Sequence, residues 1–408
     1  MTNIAILGFG VVGSGAAEVL TKNQKIIEEK ISSRINIKYI LDLREFPGNR
    51  FESLIVHDFN TILNDPEVEI VAEMMGGSHP AYDFSKACLE AGKSVVTSNK
   101  EVVANFGREL LDIAAKHNVA YMFEASVGGG IPIIRPMCND LSSNHITSVS
   151  GILNGTTNYI LTKMDSEGAA FDDVLKDAQK KGYAEANPSA DVDGLDAARK
   201  IVILAALSFG KLISPSRIHT EGIRDITAQD VSIARKMGYA IKLVGYSSKT
   251  NEKIICTVSP RAVPMSNPLS GINDVFNGVL VSADMVGEVM FYGPGAGKLP
   301  TASAVCADIV DIASHKESGI KLPVWTDASD DDLLCFDEYC CRRMFIFAYE
   351  QGKAAYTSDA LSRVFGNIER LVAEDGKVAF VSEEISEAQA KQLIYKCPLE
   401  FIKSYRLL

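Results

Sequence analysis

Over the first third of the chain, apolar residues come in short runs that end at glycine turns and give way to helical spacing. Ile4 to Leu7 is such a run; it stops at Gly8-Phe9-Gly10-Val11-Val12-Gly13, and Ser14 to Leu20 continues as a helix with a polar extension, Lys22 to Lys30. A second run, Ile35 to Leu41, ends at Asp42. Strands at Ile70 to Met74, Ser94 to Thr97 and Ala120 to Glu124 then alternate with helices at Pro80 to Ala91 and Val102 to His117. Short strands alternating with helices of this length predict an α/β fold, a doubly wound parallel sheet of Rossmann type.

From Ile146 the pattern changes. A strand leads into LNGTTNYILTKM, and a polar loop follows that opens a long apolar helix, LDAARKIVILAALSFG. Segments such as IKLVGYSS, KIICTVSP and GVLVSAD predict an α+β unit, a mixed sheet covered by helices. A second glycine loop, Gly293 to Gly297, leads into an apolar helix that should pack back on the first domain. Beyond the acidic spacer Ser329 to Asp332 the tail reads βαββαβ, a ferredoxin-like unit. The predicted domains are therefore 1–130, completed by a helix at about 300–320, then 131–300, then 330–408.

At 408 residues the chain exceeds one core and agrees with several domains. The net charge of -11, without any basic run, argues against a nucleic-acid partner. No apolar stretch is long enough to cross a bilayer. The N-terminus enters a strand with no basic region or cleavage site, so no signal peptide is predicted. Eight cysteines, none in a CxxC pair, read as reduced core thiols of a cytoplasmic protein. Six dispersed histidines make a histidine-built metal site a poor expectation.

The chemistry gathers at strand ends. Gly8, Gly10 and Gly13 between a strand and a helix form the dinucleotide fingerprint: a tight turn, close backbone approach to pyrophosphate and close helix packing. Phe9, Val11 and Val12 lie in the same loop, and the helix start offers its amides to the phosphates. Asp42 suits the ribose 2′-hydroxyl of NAD, while Arg44 suits the 2′-phosphate of NADP, so both cofactors stay open. Gly76 follows one strand end, and Ser98 with Lys100 follows the next. A lysine at a helix start opposes the dipole, which points to a functional use of its charge. Glu124 and the three glycines after it read, on composition, as a hinge between domains. Asp196 and Lys200 lie one turn apart at the start of the apolar helix, an acid and a base that burial would give a purpose.

Taken together these stretches resemble the bacterial homoserine dehydrogenases. The resemblance rests on Ala178, Gly182-Tyr183-Ala184, Asn187-Pro188, Asp191-Val192, Gly194, Asp196 and Lys200, with GFGVVG at 8 to 13, TSNKEVVA at 97 to 104, EASVGGGIP at 124 to 132, LNGTTNYIL at 153 to 161 and GPGAG at 293 to 297 in the same order. It implies NAD(P)-dependent interconversion of L-homoserine and L-aspartate 4-semialdehyde by a homodimer or higher homo-oligomer. Lys200, Lys100 and Asp196 would be catalytic; Glu185, Asp196 and Thr156 would hold the substrate. Gly182 and Gly297 would touch the cofactor. Glu124 with the backbone of Val127, Gly129 and Ile131 would hold a structural sodium ion, which replaces the hinge reading. The tail resembles an ACT-type regulatory or assembly module in element order and lacks that module's usual Pro-Gly-Val-Leu turn. Two other readings compete: an oxidoreductase acting on a different semialdehyde or 2-oxo acid, and a nucleotide sensor without turnover.

Overall fold

A computed structural model describes residues 1–316, 318–350 and 354–408. The chain divides into two units. The first gathers Met1–Ile146, Val202–Arg217 and Ala283–Ala328; the second gathers Thr147–Ile201, Ile218–Ser282 and Ser329–Leu408.

The N-terminal run comprises β1 (Thr2–Leu7), α1 (Val11–Lys22), α2 (Gln24–Ile31), β2 (Ile35–Leu41), β3 (Ile55–Val56), α3 (Phe59–Leu63), β4 (Val68–Glu73), α4 (Ala81–Glu90), β5 (Ser94–Thr97), α5 (Lys100–His117), β6 (Tyr121–Met122) and α6 (Ile134–Cys138). The strands make one parallel sheet in the order β3-β2-β1-β4-β5-β6. Strand order reverses between β1 and β4, the place where doubly wound sheets collect ligands. Leu7, Glu73 and Thr97 lie in register at the ends of β1, β4 and β5, so three loops leave one edge of the sheet side by side. Ile4, Ile6, Ile40, Ile70 and Val96 pack with Ala16, Ala17 and Leu20 into the core beneath them.

The chain continues through β7 (Ile146–Ile152), α7 (Gly155–Glu167), α8 (Phe171–Lys180), α9 (Ser189–Val192), α10 (Leu195–Phe209), β8 (Lys211–Leu212), β9 (His219–Thr220), α11 (Ala228–Lys236), β10 (Tyr239–Thr250), β11 (Lys253–Pro264) and β12 (Phe276–Ala283). Next come β13 (Gly287–Pro294), α12 (Lys298–Ser314) and β14 (Thr326–Asp327) of the first unit, where Ala302, Val305 and Ile309 of α12 join the core under β1 and β4. The C-terminal part runs β15 (Cys340–Cys341), β16 (Arg343–Ala348), α13 (Ala354–Phe365), β17 (Ile368–Glu374), β18 (Lys377–Ser382), β19 (Ile385–Ser386), α14 (Glu387–Lys396) and β20 (Phe401–Leu407).

In the second unit the sheet runs β12-β7-β10-β11-β20-β16-β18-β17. Its tail section, β20-β16-β18-β17 with α13 and α14, is a βαββαβ arrangement whose first and last strands are neighbours, the ferredoxin-like topology. Phe345, Phe347, Phe365 and Phe380 fill its core.

Two boundaries differ from the sequence-based division. The first unit reaches Ile146 rather than 130, because the segment around Glu124 and Arg135 is tied to Asp308 of α12 by hydrogen bonds. Residues 330–408 do not separate from the second unit either: β20 pairs in parallel with β11 through Arg261–Arg406 and Ala262–Leu407. The strand expected over 120 to 124 is only Tyr121–Met122, since Glu124 already begins a short 3-10 turn. Among the described residues no helix is long and apolar enough to cross a membrane.

Candidate functional site

The first unit carries the glycine turn expected to cradle a dinucleotide. Gly8 has φ +90°, and a Cβ on Gly13 would lie 1.9 Å from the Gly8 carbonyl oxygen, so both positions demand glycine. A Cβ on Gly10, at the cap of α1, would meet nothing within 4 Å. Glycines that close the turn therefore flank one that leaves open space before a helix start, which suits a pyrophosphate. Val11 and Val12 supply the first amides of α1. The amide of Phe9 donates to Asp42 Oδ2 at 2.8 Å, while its buried ring packs edge-on against Phe46 and Phe51. Asp42 also accepts from Nε and Nη2 of the exposed Arg44, both at 2.9 Å. The Arg44 hydrogen bonds hold the Asp42 carboxyl well below the usual carboxylate range.

The next two loops of that edge hold the other expected residues. Gly76 is exposed, with nothing within 4 Å of a built Cβ. The Ser98 amide donates to the Glu73 carbonyl at 3.3 Å. Lys100 is the first residue of α5, directly after the cap Asn99, whose Oδ1 accepts from Glu101 and Val102 amides at 3.2 Å. Gly297, with φ +122°, caps α12.

In the second unit, α10 places Asp196 and Lys200 on one face, and both are buried, 4% and 8% exposed. Their charges meet at 2.7 Å. Lys200 Nζ donates in addition to the Leu153 carbonyl at 2.7 Å. Asn154 links the pair to the preceding loop: its Nδ2 donates to Asp191 Oδ1 at 2.7 Å and to Asp196 Oδ2 at 2.8 Å, while its Oδ1 caps α7 at the Thr157 amide. Burial raises the Asp191 pKa, and the Asp196 charge adds to this against the Asn154 hydrogen bond. Thr156 Oγ1 donates to the Tyr183 carbonyl at 2.6 Å. Gly182, φ +76°, and Glu185 are exposed in the loop, so the buried cluster forms without the Glu185 carboxylate. Asp193 pairs with Arg224 at 2.5 Å and helps to shape the loop.

An ion pair at this spacing is commonly a solvated surface feature, worth little. Here both side chains are buried, and the Lys200 Nζ is placed between the Asp196 carboxylate and the Leu153 carbonyl. Such a group can stabilise a developing oxyanion and deliver a proton.

Glu124 is buried, and its carboxylate accepts three amides: Ile133 at 2.6 Å and Ile134 at 2.8 Å on Oε1, Arg135 at 2.8 Å on Oε2. Its own amide donates to Asp308 Oδ2 at 2.9 Å, and Arg135 Nη2 donates to Asp308 Oδ1 at 2.7 Å. Burial, with the Glu124 charge nearby, pushes the Asp308 carboxyl up to about 8. Val127 and Ile131 are buried, and Gly129 sits where a Cβ would lie 2.5 Å from the Gly295 carbonyl. Glycines packed this closely are no hinge; the composition reading fails because their small size serves close approach. Among the described residues, no group of three or more His, Cys, Asp or Glu could hold a metal ion.

Three residues with a part in these clusters escaped sequence reasoning as site residues: Asn154, Asp308 and Glu73. Asn154 and Asp308 follow or interrupt apolar runs and carry no spacing signal. Glu73 is readable only as the acid that ends the strand VEIVAE, whose other acid, Glu69, sits at its one half-buried position.

Comparison with known proteins extends the picture. Residues 132–310 match the family model described as homoserine dehydrogenase, and residues 8–124 match its NAD-binding domain. A homoserine dehydrogenase of Synechocystis sp. is 43% identical over 349 residues, covering 83% of this chain and 78% of the relative. The crystal structure of a homoserine dehydrogenase from Thiobacillus denitrificans superposes with TM-score 0.91 at 33% identity, covering 100% of this chain and 98% of that one. A hyperthermophilic archaeal homoserine dehydrogenase in complex with NADPH gives TM-score 0.67 at 29% identity, covering 78% of this chain and 99% of that one.

Proposed function

The chain belongs to the homoserine dehydrogenase family, and on that premise we propose which of its residues carry the NAD(P)-dependent interconversion of L-homoserine and L-aspartate 4-semialdehyde. The dinucleotide, when bound, supplies or accepts the hydride at the carbon bearing the oxygen. Gly8 to Gly13, Gly76 and Ser98 hold it by backbone, with Asp42 and Arg44 toward the ribose and Gly182 and Gly297 as further contacts.

Lys200 gives a proton to the substrate oxygen as it becomes an alkoxide, and takes it back in the reverse direction. Asp196 keeps that lysine charged and aimed. Lys100 is the second cation offered to the oxyanion. Glu185 and Asp196 bind the substrate, Glu185 through the amino group, which suits a carboxylate left exposed; Thr156 completes the contacts. The observation that carries this assignment is the buried Lys200–Asp196 pair, closed by the Leu153 carbonyl and by Asn154.

The test is an absorbance assay with aspartate semialdehyde and NADH or NADPH in parallel. Lys200→Ala should lose roughly 10²-fold or more in turnover with cofactor binding retained. Wild-type turnover in that variant would remove the assignment, and no oxidation by the wild-type protein with either cofactor would favour the nucleotide-sensor reading.

A structural sodium ion belongs to the same proposal. Because both Glu124 oxygens already accept amides, the carbonyls of Val127, Gly129 and Ile131 would supply most of its ligands, with Glu124 as the nearby charge. Homo-oligomerisation through the middle sheet and a regulatory or assembly role for the ferredoxin-like section, with threonine as the effector to assay, complete the reading.

A further inference from the structure

We propose that Glu73 is a positioning residue: a buried carboxyl that ties the Met75–Gly77 turn to the start of α5 and so sets the place of Lys100. The proposal rests on the reading of Lys100 as catalytic and deepens it.

Glu73 is the last residue of β4, between Leu7 of β1 and Thr97 of β5 in the register of the sheet. Those strand ends launch the glycine cradle, the Gly76 turn and the Ser98–Lys100 turn, each with a part in the proposed chemistry. The Glu73 side chain, fully buried at 0% exposure, reaches two of the three. Oε1 accepts the Met75 amide at 2.7 Å, and Oε2 accepts the Thr97 hydroxyl at 2.6 Å.

The contacts continue without a gap. Thr97 Oγ1 accepts the Asn99 amide at 2.9 Å. Asn99 turns its Nδ2 back to the Gly77 carbonyl at 2.7 Å and to the Met75 carbonyl at 3.4 Å, while its Oδ1 caps the helix that Lys100 begins. Ser78 Oγ closes a second link to Glu101 at 2.9 Å. The cradle is joined as well: a Cβ on Gly8 would stand 3.0 Å from the Met74 carbonyl, and the Met74 amide donates to the Leu7 carbonyl at 2.9 Å.

An acid is a costly choice for such a place. An apolar residue would fill the volume without desolvating a carboxyl, but it would leave the Met75 amide and the buried Thr97 hydroxyl without their acceptor. The carboxyl is the short side chain with acceptors for two donors on two different loops. Burial pushes its pKa up to about 7, so glutamine, which imitates the protonated form, is a fair substitute in shape and bonding.

The test compares Glu73→Leu, Glu73→Gln, Thr97→Val and Lys100→Ala by steady-state kinetics with aspartate semialdehyde and NADH or NADPH. Folded fraction is measured by circular dichroism. Glu73→Leu should lose about 10²-fold in kcat, the scale of a catalytic group displaced by about 1 Å, and its cofactor KM should rise while the semialdehyde KM changes little. Glu73→Gln should recover most of the loss, and Thr97→Val should fall between and combine non-additively with Glu73→Leu. A folded Glu73→Leu with wild-type kcat and cofactor KM would overturn the proposal. So would a loss that merely tracks the folded fraction, or a glutamine variant no better than leucine. Should Glu73→Leu fail to fold, Thr97→Val decides: a raised cofactor KM with lowered kcat supports the network, and wild-type kinetics overturn it. Wild-type turnover in Lys100→Ala would instead remove the role of Lys100, which separates the two failures.

Discussion

Replacing Asn154 by serine separates two things that one side chain does. Asn154 caps α7 through its Oδ1, 2.9 Å from the Thr157 amide, and bridges Asp191 and Asp196 through its Nδ2. Serine is as good a helix cap as asparagine but cannot reach both carboxylates; alanine can do neither. A hydrogen bond to a charged group contributes about 1.5–3 kcal/mol. Asp191, being half-buried, can exchange its lost donor for water, whereas Asp196 at 4% exposure cannot do so readily. One full bond is therefore lost in Asn154→Ser, about 2 kcal/mol, and Asn154→Ala adds about 1 kcal/mol for the cap.

The measurement is best made locally, because a chain of two units need not follow a single two-state transition. Hydrogen exchange over α7 and α10 reports the opening free energies directly. Turnover of aspartate semialdehyde should fall at least tenfold in both variants, since Asp196 then holds Lys200 with one restraint fewer. Should the serine variant match the wild type in α10 protection and turnover, Asn154 would be a cap and nothing more. Equal protection of α7 in the serine and alanine variants would refute the division into cap and bridge.

Three further outcomes follow from the same geometry. Arg44→Ala should lower kcat/KM for NADPH relative to NADH by about tenfold or more, roughly 1.4 kcal/mol, because it frees an Asp42 carboxylate that repels a 2′-phosphate; an unchanged ratio would clear Arg44 of any part in cofactor choice. Burial raises Glu73 from 4.5 to about 7, so the stability gained by its protonation is complete below about pH 4.5 and lost as pH rises through about 7. With Tyr121 as the titratable neighbour and its hydroxyl held neutral by burial, Glu73→Gln should gain on the wild type by about 3 kcal/mol across that window. Parallel pH profiles of hydrogen-exchange protection over β4 and β5 would contradict the burial of an ionisable carboxyl. Sodium chloride should raise the melting temperature above that in choline chloride, with a stabilisation of about 1.4 kcal/mol at ten times Kd, and Glu124→Gln should cancel the gain; equal melting in both salts would remove the ion.

Much of this was legible in local pattern. The Gly8 to Gly13 turn, the alternation of strands and helices to residue 117, and the Asp196–Lys200 pair are features of neighbours in sequence, and local spacing reports such neighbours. The bridge from Asn154 to Asp191 and Asp196 spans 37 and 42 residues, and the Glu124–Asp308 contact spans 184, so no periodicity announces them. The short strand β3 was missed because two residues carry no period. The hinge reading of Gly128 to Gly130, which composition alone suggests and the family resemblance replaces, confuses two uses of glycine: flexibility and close approach leave the same composition, and the Gly295 backbone beside Gly129 shows close approach.

The buried polar clusters around Lys200 and Glu73 answer one physical problem in different ways. A charge taken out of water costs several kcal/mol unless partners replace its hydration. Around Lys200 the partners are a carboxylate, a carbonyl, and an asparagine that steadies the carboxylate. Around Glu73 the donors are the Met75 amide and the Thr97 hydroxyl, both neutral, and burial pushes the carboxyl up to about 7. A proton donor to an alkoxide needs its positive charge before the hydride arrives, so its partner must be an anion. A residue that only holds loops in register needs acceptors and no fixed charge, and neutral donors suffice. The partners around each buried group thus agree with the roles proposed for them, a proton donor at Lys200 and a positioning carboxyl at Glu73.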